Sequence, residues 1–221
     1  MKILIIYAHP ESQSMNSAMF NSAIDTFTKA GHEVKISDLY AMQFNPVSDR
    51  SNFTTVDNPA FFKQQLEEVY ATQLNGFTAS IEEEQQKVEW CDLMIWQFPL
   101  WWFSVPAILK GWVDRVFAMG RFYKNGSIYE NGIFRGKKAL LSLTTGGPEA
   151  NYINERYGDL AVILHSLHRG ILEFTGFSIL RPQVIYGTER QSVEELALEL
   201  EIWKTRLLDI FEETPIVVGE Q

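Results

Sequence analysis

Continuous apolar runs and spaced apolar stripes alternate along the chain. Lys2 to Tyr7 (KILIIY) is an unbroken aliphatic run, which is typical of a strand buried on both faces of a parallel sheet. Similar runs predict further strands over residues 33–37, 93–98, 138–143 and 177–184. Stripes at helical spacing lie between them, and predicted helices include one beginning near Val105, one over Leu160 to Phe174 and one over Val193 to Phe211. This alternation predicts an α/β fold.

The number of strands narrows the topology. Five strands alternating with helices suit a flavodoxin-like, doubly wound parallel sheet in the order 2-1-3-4-5, with helices on both faces. In that order the direction of winding changes between strands one and three, and ligands bind at such a point. We expect a single flavodoxin-like domain over residues 1–211, with its ligand bound at this point, and a C-terminal tail over residues 212–221.

Charge and cysteine content exclude several classes of protein. A net charge of −9 over 221 residues provides no basic surface for nucleic acid or anionic membranes. The single cysteine, Cys91, excludes a disulfide framework and fits a reducing compartment. No apolar stretch approaches the length of a membrane span, so we expect no membrane insertion and a cytoplasmic location.

An aromatic loop follows the third predicted strand. Residues 99–103 read PLWWF, and neighbouring rings on a turn cannot all point into the core. Some of these rings should therefore face a cleft at the carboxyl end of the sheet, where a flat aromatic ligand would fit. Burial of the loop under another element or a dimer partner is an equally acceptable interpretation of this stretch alone.

Two other loops belong to the same edge of the predicted sheet. Ser12, Ser14 and Asn16 follow strand one and can cap the next helix or donate to an anion; without a glycine-rich motif, capping alone is favoured. Thr144 to Gly147 (TTGG) offers hydroxyls and unobstructed amides after strand four. A phosphate-binding loop, an aromatic wall and a polar edge together predict a flavin site.

The segment from Met119 to Gly136 is a long loop rich in glycine and aromatic residues. Loops of about 18 residues in a compact domain are usually functional. Tyr123 and Ile128 in this loop either wall a pocket or anchor the loop itself.

Several long blocks resemble the NAD(P)H:quinone reductase family, whose animal members are the DT-diaphorases. The blocks are QFPLWWFSVPAILKGWVDRVF, SDLYAMQFNP, GDLAVILHSLHRGILEFTGF, and LTTGG with Tyr152 five residues later. The resemblance implies a homodimer with sites at the subunit interface, FAD as the cofactor with FMN as the alternative, and NAD(P)H as the electron donor. It also implies two-electron transfer through flavin N5 to a quinone or another flat electrophile, by a ping-pong mechanism.

The same resemblance implies residues for each role. Catalytic residues would be Gly146, Gly147, Tyr152 and Tyr157. Cofactor-binding residues would be His9, Ser14, Met15, Asn16, Pro99, Leu100, Trp101, Trp102, Phe103, Thr144, Thr145, Gly146, Gly147 and Tyr152. Substrate-binding residues would be Trp102, Phe103, Tyr123 and Ile128.

Some positions depart from the family pattern. Tyr157 stands before Gly158 and Asp159, where well-known members have a histidine that assists the tyrosine. Arg169 and Glu173 occupy the positions at which some members hold zinc through two histidines, so no metal is expected. The alternatives that remain are an FMN-dependent azo- or nitro-compound reductase and a flavoprotein ancillary subunit of a potassium-efflux system. The choice between NADH and NADPH stays open.

Overall fold

The strands form one parallel sheet in the predicted order. The computed structural model describes residues 1–153 and 157–218. Its strands are β1 (Lys2–Tyr7), β2 (Glu33–Asp38), β3 (Leu93–Pro99), β4 (Lys138–Thr144), β5 (Ser178–Ile179) and β6 (Gln183–Ile185). Their order is β2-β1-β3-β4-β5, and β6 also pairs with β4. Every pairing is parallel, which confirms the flavodoxin-like topology.

The predicted fifth strand is divided in two. β5 pairs with Lys138 and Ala139, whereas β6 pairs with the last three residues of β4. Strand pairing ends at Ile179 and resumes at Gln183, directly after Pro182, which has no N–H to donate to the ladder. The single continuous strand over 177–184 was therefore wrong in detail.

Seven α-helices cover the two faces of the sheet in the described part of the chain. They are α1 (Met15–Lys29), α2 (Gln64–Leu74), α3 (Ala79–Trp90), α4 (Ala107–Val116), α5 (Ala150–Ile153), α6 (Leu160–Leu167) and α7 (Val193–Asp209). Short 3₁₀ turns cover Arg50–Asn52 and Tyr129–Asn131.

Two helix boundaries differ from those predicted. α4 begins at Ala107 rather than Val105. Pro106 is the N-cap residue, with a non-helical ψ of 146°, and proline disfavours helical backbone angles in the residue that precedes it, here Val105. The predicted helix over Leu160 to Phe174 is α-helical only to Leu167 and continues as a π-helix over His168–Glu173. The wider turn coincides with Gly170, a weak helix former.

The core lies on both sides of the sheet, and adjacent residues of β1 alternate between the two sides. Ile3, Ile5 and Tyr7 pack with α1 and α7, and Leu4 and Ile6 pack on the opposite side with α3, α4 and α6. This double coverage explains why β1 is an unbroken apolar run.

The tail is attached to the sheet where it is described. The amide of Ile216 donates to the carbonyl of Ile179 in β5 (2.8 Å), and Ile216 and Val218 pack against the core. Within residues 1–153 and 157–218, none of the helices is long and apolar enough to cross a membrane.

Candidate active site

A cleft of about 440 Å³ opens at the carboxyl ends of β1, β3 and β4. It lies where the winding direction was predicted to change, and the three loops that were predicted to meet there border it. The lining residues are His9, Ser14, Met15, Asn16, Pro99, Trp101, Thr144, Thr145, Gly146, Thr188, Glu189 and Leu196. Most of the predicted cofactor-binding residues are therefore neighbours in space.

The loop after β1 is closed by hydrogen bonds of its own. The Ser14 hydroxyl accepts from the amide of Ser17 (3.2 Å) and donates to the carbonyl of Glu11 (2.8 Å), so Ser14 is the N-cap of α1. The Glu11 carboxylate accepts from the amide of Gln13 (2.8 Å). Ser14 thus serves as a cap, and Asn16, in the first turn of α1, is the polar side chain that reaches the neighbouring strands.

Asn16 joins the cleft to the buried sheet. Its Nδ2 donates to Thr144 Oγ1 (2.7 Å), and its Oδ1 accepts from Gln97 Nε2 (2.8 Å). Asn16, Gln97 and Thr144 are all buried. Because buried polar groups lose their bonds to water, such a satisfied network holds its members in a single arrangement.

The aromatic loop is a tight turn with an unusual backbone. Trp101 and Ser104 exchange two backbone hydrogen bonds (3.1 and 3.0 Å), and between them Trp102 and Phe103 have φ of 52° and 58°. Two consecutive residues at positive φ define a type I′ turn, which glycine and asparagine normally occupy. Large aromatic side chains in this conformation are strained.

This turn directs its rings away from the chain's own core. Trp102 is 94% exposed and Phe103 47% exposed, so within the described residues the loop is not buried under another element. Trp101 lies beside the ring of His9, with centroids 6.0 Å apart. The interpretation in which the loop faces a cleft is therefore favoured over burial in the same chain, and a dimer partner remains an alternative cover.

In the threonine–glycine turn, Thr145 and Gly147 contact other protein groups, whereas Gly146 borders open space. The Thr145 hydroxyl donates to the carbonyl of Gly147 (2.7 Å) and accepts from the amide of Gly187 (3.3 Å), so it holds the turn together. A Cβ on Gly147 would lie 3.0 Å from the ring of Tyr157. A Cβ on Gly146 would have no described protein atom within 4 Å, although the residue lines the cleft. No neighbour in the described chain requires glycine at 146, which fits a position kept clear for a ligand.

Tyrosine rings form the wall next to this turn. The buried Tyr152 lies 5.6 Å from Tyr157 and 5.7 Å from Tyr186, measured between ring centroids. Tyr157 in turn meets Phe103 at 5.8 Å. Burial raises the pKa of Tyr186 to about 12, so this phenol stays protonated at neutral pH.

None of the four predicted substrate-binding residues is in the cleft lining: Trp102 and Phe103 lie on the exposed turn next to Trp101, and Tyr123 and Ile128 lie elsewhere. Tyr123 packs on Phe174 (centroids 5.3 Å apart) and accepts a hydrogen bond from Gln65 (3.3 Å). These residues line a separate cavity of about 390 Å³. Ile128 is half-buried in the same long loop and lines neither cavity. One chain alone does not bring Tyr123 and Ile128 to Trp102 and Phe103.

Arg169 and Glu173, at the positions where some family members hold zinc, interact with each other. Arg169 forms an ion pair with Glu173 (3.0 Å) and lies 4.0 Å from the centre of the Tyr129 ring. Nearby His168 is buried in the π-helix, whereas His165 is exposed. Among residues 1–153 and 157–218, no three side chains of the metal-binding types form a group.

Gln97, Thr188 and Glu189 were not predicted as site residues from the sequence. Gln97 had a readable signal, because it is the one polar residue in the apolar run Leu93 to Phe98. Thr188 and Glu189 follow β6 and reach the cleft because β6 pairs with β4 and the amide of Thr188 donates to the carbonyl of Thr145 (3.3 Å). No local pattern marks such a long-range contact.

Comparison with known proteins agrees with this geometry. A family model described as a flavodoxin-like fold matches residues 1–207. A mouse ribosyldihydronicotinamide dehydrogenase [quinone] is 43% identical over 217 residues, which are 97% of this chain and 94% of the relative. A guinea pig NAD(P)H dehydrogenase [quinone] 1 is also 43% identical and is covered over 79% of its length.

Solved structures give the same result. A structure from Klebsiella pneumoniae assigned as a quinone reductase superposes with a TM-score of 0.92 at 38% identity, over 98% of this chain and 87% of the other. The fold, the converging loops and these similarities lead to one conclusion: the chain belongs to the NAD(P)H:quinone reductase family of flavodoxin-like fold.

Proposed function

We propose that this protein is a flavin-dependent NAD(P)H:quinone oxidoreductase that holds FAD in the cleft between β1, β3 and β4. The observation that carries the proposal is Gly146, whose missing side chain leaves open space beside Trp101 and Thr144 in the cleft. A planar ring system needs such a clear approach to backbone amides, with an aromatic wall beside it. The related quinone dehydrogenases support the choice of substrate.

The residues of the cleft fit a flavin in three parts. The N-terminal end of α1, with Met15 and Asn16, offers the positive end of a helix to a phosphate. Trp101 in the lining and Phe103 on the exposed turn next to it provide apolar surface for a ring, and Thr144 to Gly146 in the lining provide polar groups for its edge. When bound, a flavin takes two electrons from a reduced nicotinamide and passes them to a quinone.

The chain's own contribution is orientation, exclusion of water and proton handling. The exposed Trp102 and Phe103 rings give a flat electrophile a stacking surface. Tyr152 is buried beside Gly147, where its hydroxyl would donate to a ligand atom that gains negative charge. Tyr157, in contact with both Phe103 and Tyr152, completes this wall.

The proposal includes a homodimer whose partner completes each site. Tyr123 and Phe174 line a cavity apart from the cleft, and Trp102 has almost no cover in its own chain. A symmetric dimer would place the Tyr123 surface of one subunit over Trp102 of the other. We place this enzyme in the cytoplasm, consistent with a single buried cysteine whose pKa is raised by burial to about 12.

The test is a titration of the purified protein. Full-length protein reconstituted with FAD or FMN is reduced anaerobically with NADH or NADPH, and then a soluble quinone is added. Bleaching of the flavin band and its return with one quinone per flavin would support the proposal. Protein that binds no flavin would overturn it, and flavin reduced but not reoxidised by quinones would instead favour an azo- or nitro-compound reductase or an ancillary subunit.

A further inference from the structure

One polar side chain is enclosed in the sheet beneath the cleft. Gln97 of β3 is 1% exposed and lies in register between Tyr7 of β1 and Ser142 of β4. Its Nε2 is 2.8 Å from Asn16 Oδ1 and 3.6 Å from Met19 Sδ. Burying an amide in this position is costly unless it is satisfied, so its partners indicate a role.

The Met19 sulfur fixes the direction of the hydrogen bonds. A thioether has lone pairs and no hydrogen, so it can only accept, and the end of Gln97 that faces it must be the NH₂ group. The second hydrogen of that group points to Asn16, which must present its carbonyl oxygen. The amide nitrogen of Asn16 therefore faces Thr144 and donates to its Oγ1 at 2.7 Å.

Thr144 is the last residue of this series of hydrogen bonds, and it lies at the cleft. Since its oxygen accepts from Asn16, the hydroxyl hydrogen must point to another acceptor. In the part of the chain that the structure describes, no protein acceptor takes this hydrogen. Thr144 lines the cleft beside Gly146, so a ligand bound there meets a hydroxyl that is oriented as a donor.

We propose that Gln97 and Met19 are positioning residues that set the Thr144 hydroxyl as a hydrogen-bond donor to an acceptor atom of the flavin. The inference rests on the proposed function, because it concerns the ligand of the same cleft. The four residues from Met19 to Thr144 are all buried, so reversing one amide would set like groups against each other in a medium of low dielectric. The arrangement favours phosphate or carbonyl oxygens over donor groups.

A double-mutant cycle on flavin affinity tests this role. Gln97→Met keeps the length of the side chain and removes its polar end, and Thr144→Val removes the hydroxyl. Each change is expected to raise the Kd of the flavin-free full chain for FAD and FMN about tenfold. If Gln97 acts through Thr144, the double variant binds no more weakly than Thr144→Val alone.

Two further variants keep the test decisive. Met19→Leu removes the sulfur acceptor at similar volume and is expected to raise the flavin Kd about threefold, so it serves if Gln97→Met does not fold. Ser142→Ala is the matched control, because this buried hydroxyl lies next to Gln97 in register but belongs to no hydrogen bond of the chain from Met19 to Thr144. Its flavin Kd is expected to match that of the wild type.

A readout without flavin examines the hydrogen-bond direction itself. In the isotope-labelled flavin-free protein, nuclear Overhauser contacts are expected between the Gln97 amide hydrogens and the Met19 methyl group. Their absence, with the Asn16 amide hydrogens facing Gln97, would overturn the inference.

The two proposals fail in different ways. Additive losses from Gln97→Met and Thr144→Val in a protein that binds flavin would overturn the positioning role and leave the enzyme proposal intact. A wild-type protein that binds neither FAD nor FMN would overturn the enzyme proposal, and the positioning role would fall with it.

Discussion

Gly146 is the residue at which a missing side chain carries the most information about the cleft. Its neighbour Gly147 is packed against Tyr157 and Tyr152, so a Cβ there would meet protein atoms. At Gly146 the space is open. Packing therefore restricts residue 147 to a small side chain, whereas at residue 146 it is the proposed ligand that would require glycine.

Gly146→Ala is expected to weaken flavin binding and spare the fold. The added methyl group would enter ligand space, so the flavin Kd should rise about tenfold or more. The free energy of unfolding of the flavin-free protein should stay unchanged or rise by up to about 1 kcal/mol, since alanine restricts the unfolded chain. Flavin titration and urea denaturation measure the two effects. Equal flavin affinity in the variant would contradict a ring placed at this turn.

His168 gives a prediction for pH. Burial, with a smaller contribution from the charge on His165, lowers the pKa of His168 to about 4, and its Nε2 has no partner among the described residues. Because the unfolded chain takes up this proton near pH 6.5 and the folded one does not, stability should fall as pH falls between about 6.5 and 4. From pH 7 to pH 5 this one group should cost about 2 kcal/mol of unfolding free energy.

The variant His168→Leu isolates that contribution. Other groups titrate in the same range, so the measured quantity is the difference between wild type and variant in urea denaturation at pH 7 and pH 5. The variant should lose less stability on acidification. The same loss in both proteins would show that His168 is not held neutral in the fold.

At the scale of elements, the type I′ turn after β3 combines strain with exposure. The left-handed conformation of Trp102 and Phe103 costs on the order of 1 kcal/mol per residue, and the Trp102 ring recovers little of it by packing in its own chain. Strained residues that persist without local packing commonly mark functional sites.

Trp102→Asn is expected to make the protein more stable and less active. Asparagine tolerates positive φ, so the free energy of unfolding should rise by about 0.5 to 1 kcal/mol, while loss of the ring should lower kcat/KM for a quinone about tenfold. Gln43→Asn is the matched control, because Gln43 also has positive φ (49°) but belongs neither to the turn after β3 nor to the cleft lining. It should gain similar stability at unchanged activity. A Trp102→Asn variant of full activity would contradict the stacking role.

The boundaries of some strands and helices could be predicted from the sequence, and those of others could not. Buried parallel strands have a continuous apolar pattern, so β1, β3 and β4 and the strand order were predictable within a residue or two. The division at Pro182 and the π-helix after Leu167 depend on one proline and on a change of helical pitch that apolar spacing does not reveal.

The position of the site could be predicted from the sequence, but the hydrogen bonds beneath it could not. Loops at the carboxyl ends of adjacent strands must meet, which brought His9, Trp101 and Thr144 into one cleft. The hydrogen bonds from Gln97 to Asn16 and from Asn16 to Thr144 join positions 81 and 128 residues apart. Such contacts follow from strand register, which the sequence pattern alone does not fix.

At the scale of the whole molecule, the proposed dimer predicts complementation between subunits. Trp102→Asn and Tyr123→Ala would damage opposite halves of each shared site, so each homodimer should have low activity. A mixed dimer would contain one intact site and one doubly altered site. Unfolding and refolding the two variants together should therefore restore activity to about a quarter of the wild-type value, given random pairing.

Controls for this experiment are size and folding. Sedimentation should give a dimer for each variant and for the mixture, and melting temperatures should show that each variant is folded. Activity of the mixture equal to the mean of the two variants would contradict a site shared between subunits.

The proposed function requires a flavin that cycles between a nicotinamide and a quinone in this cleft. The most direct measurement is anaerobic visible spectroscopy of the reconstituted full-length protein, with the bound cofactor identified by mass. We expect an FAD spectrum that NADH or NADPH bleaches and that one quinone per flavin restores. A protein that takes up no flavin would contradict the proposed function. A bound flavin that is reduced by the nucleotide but is not reoxidised by quinones would also contradict it.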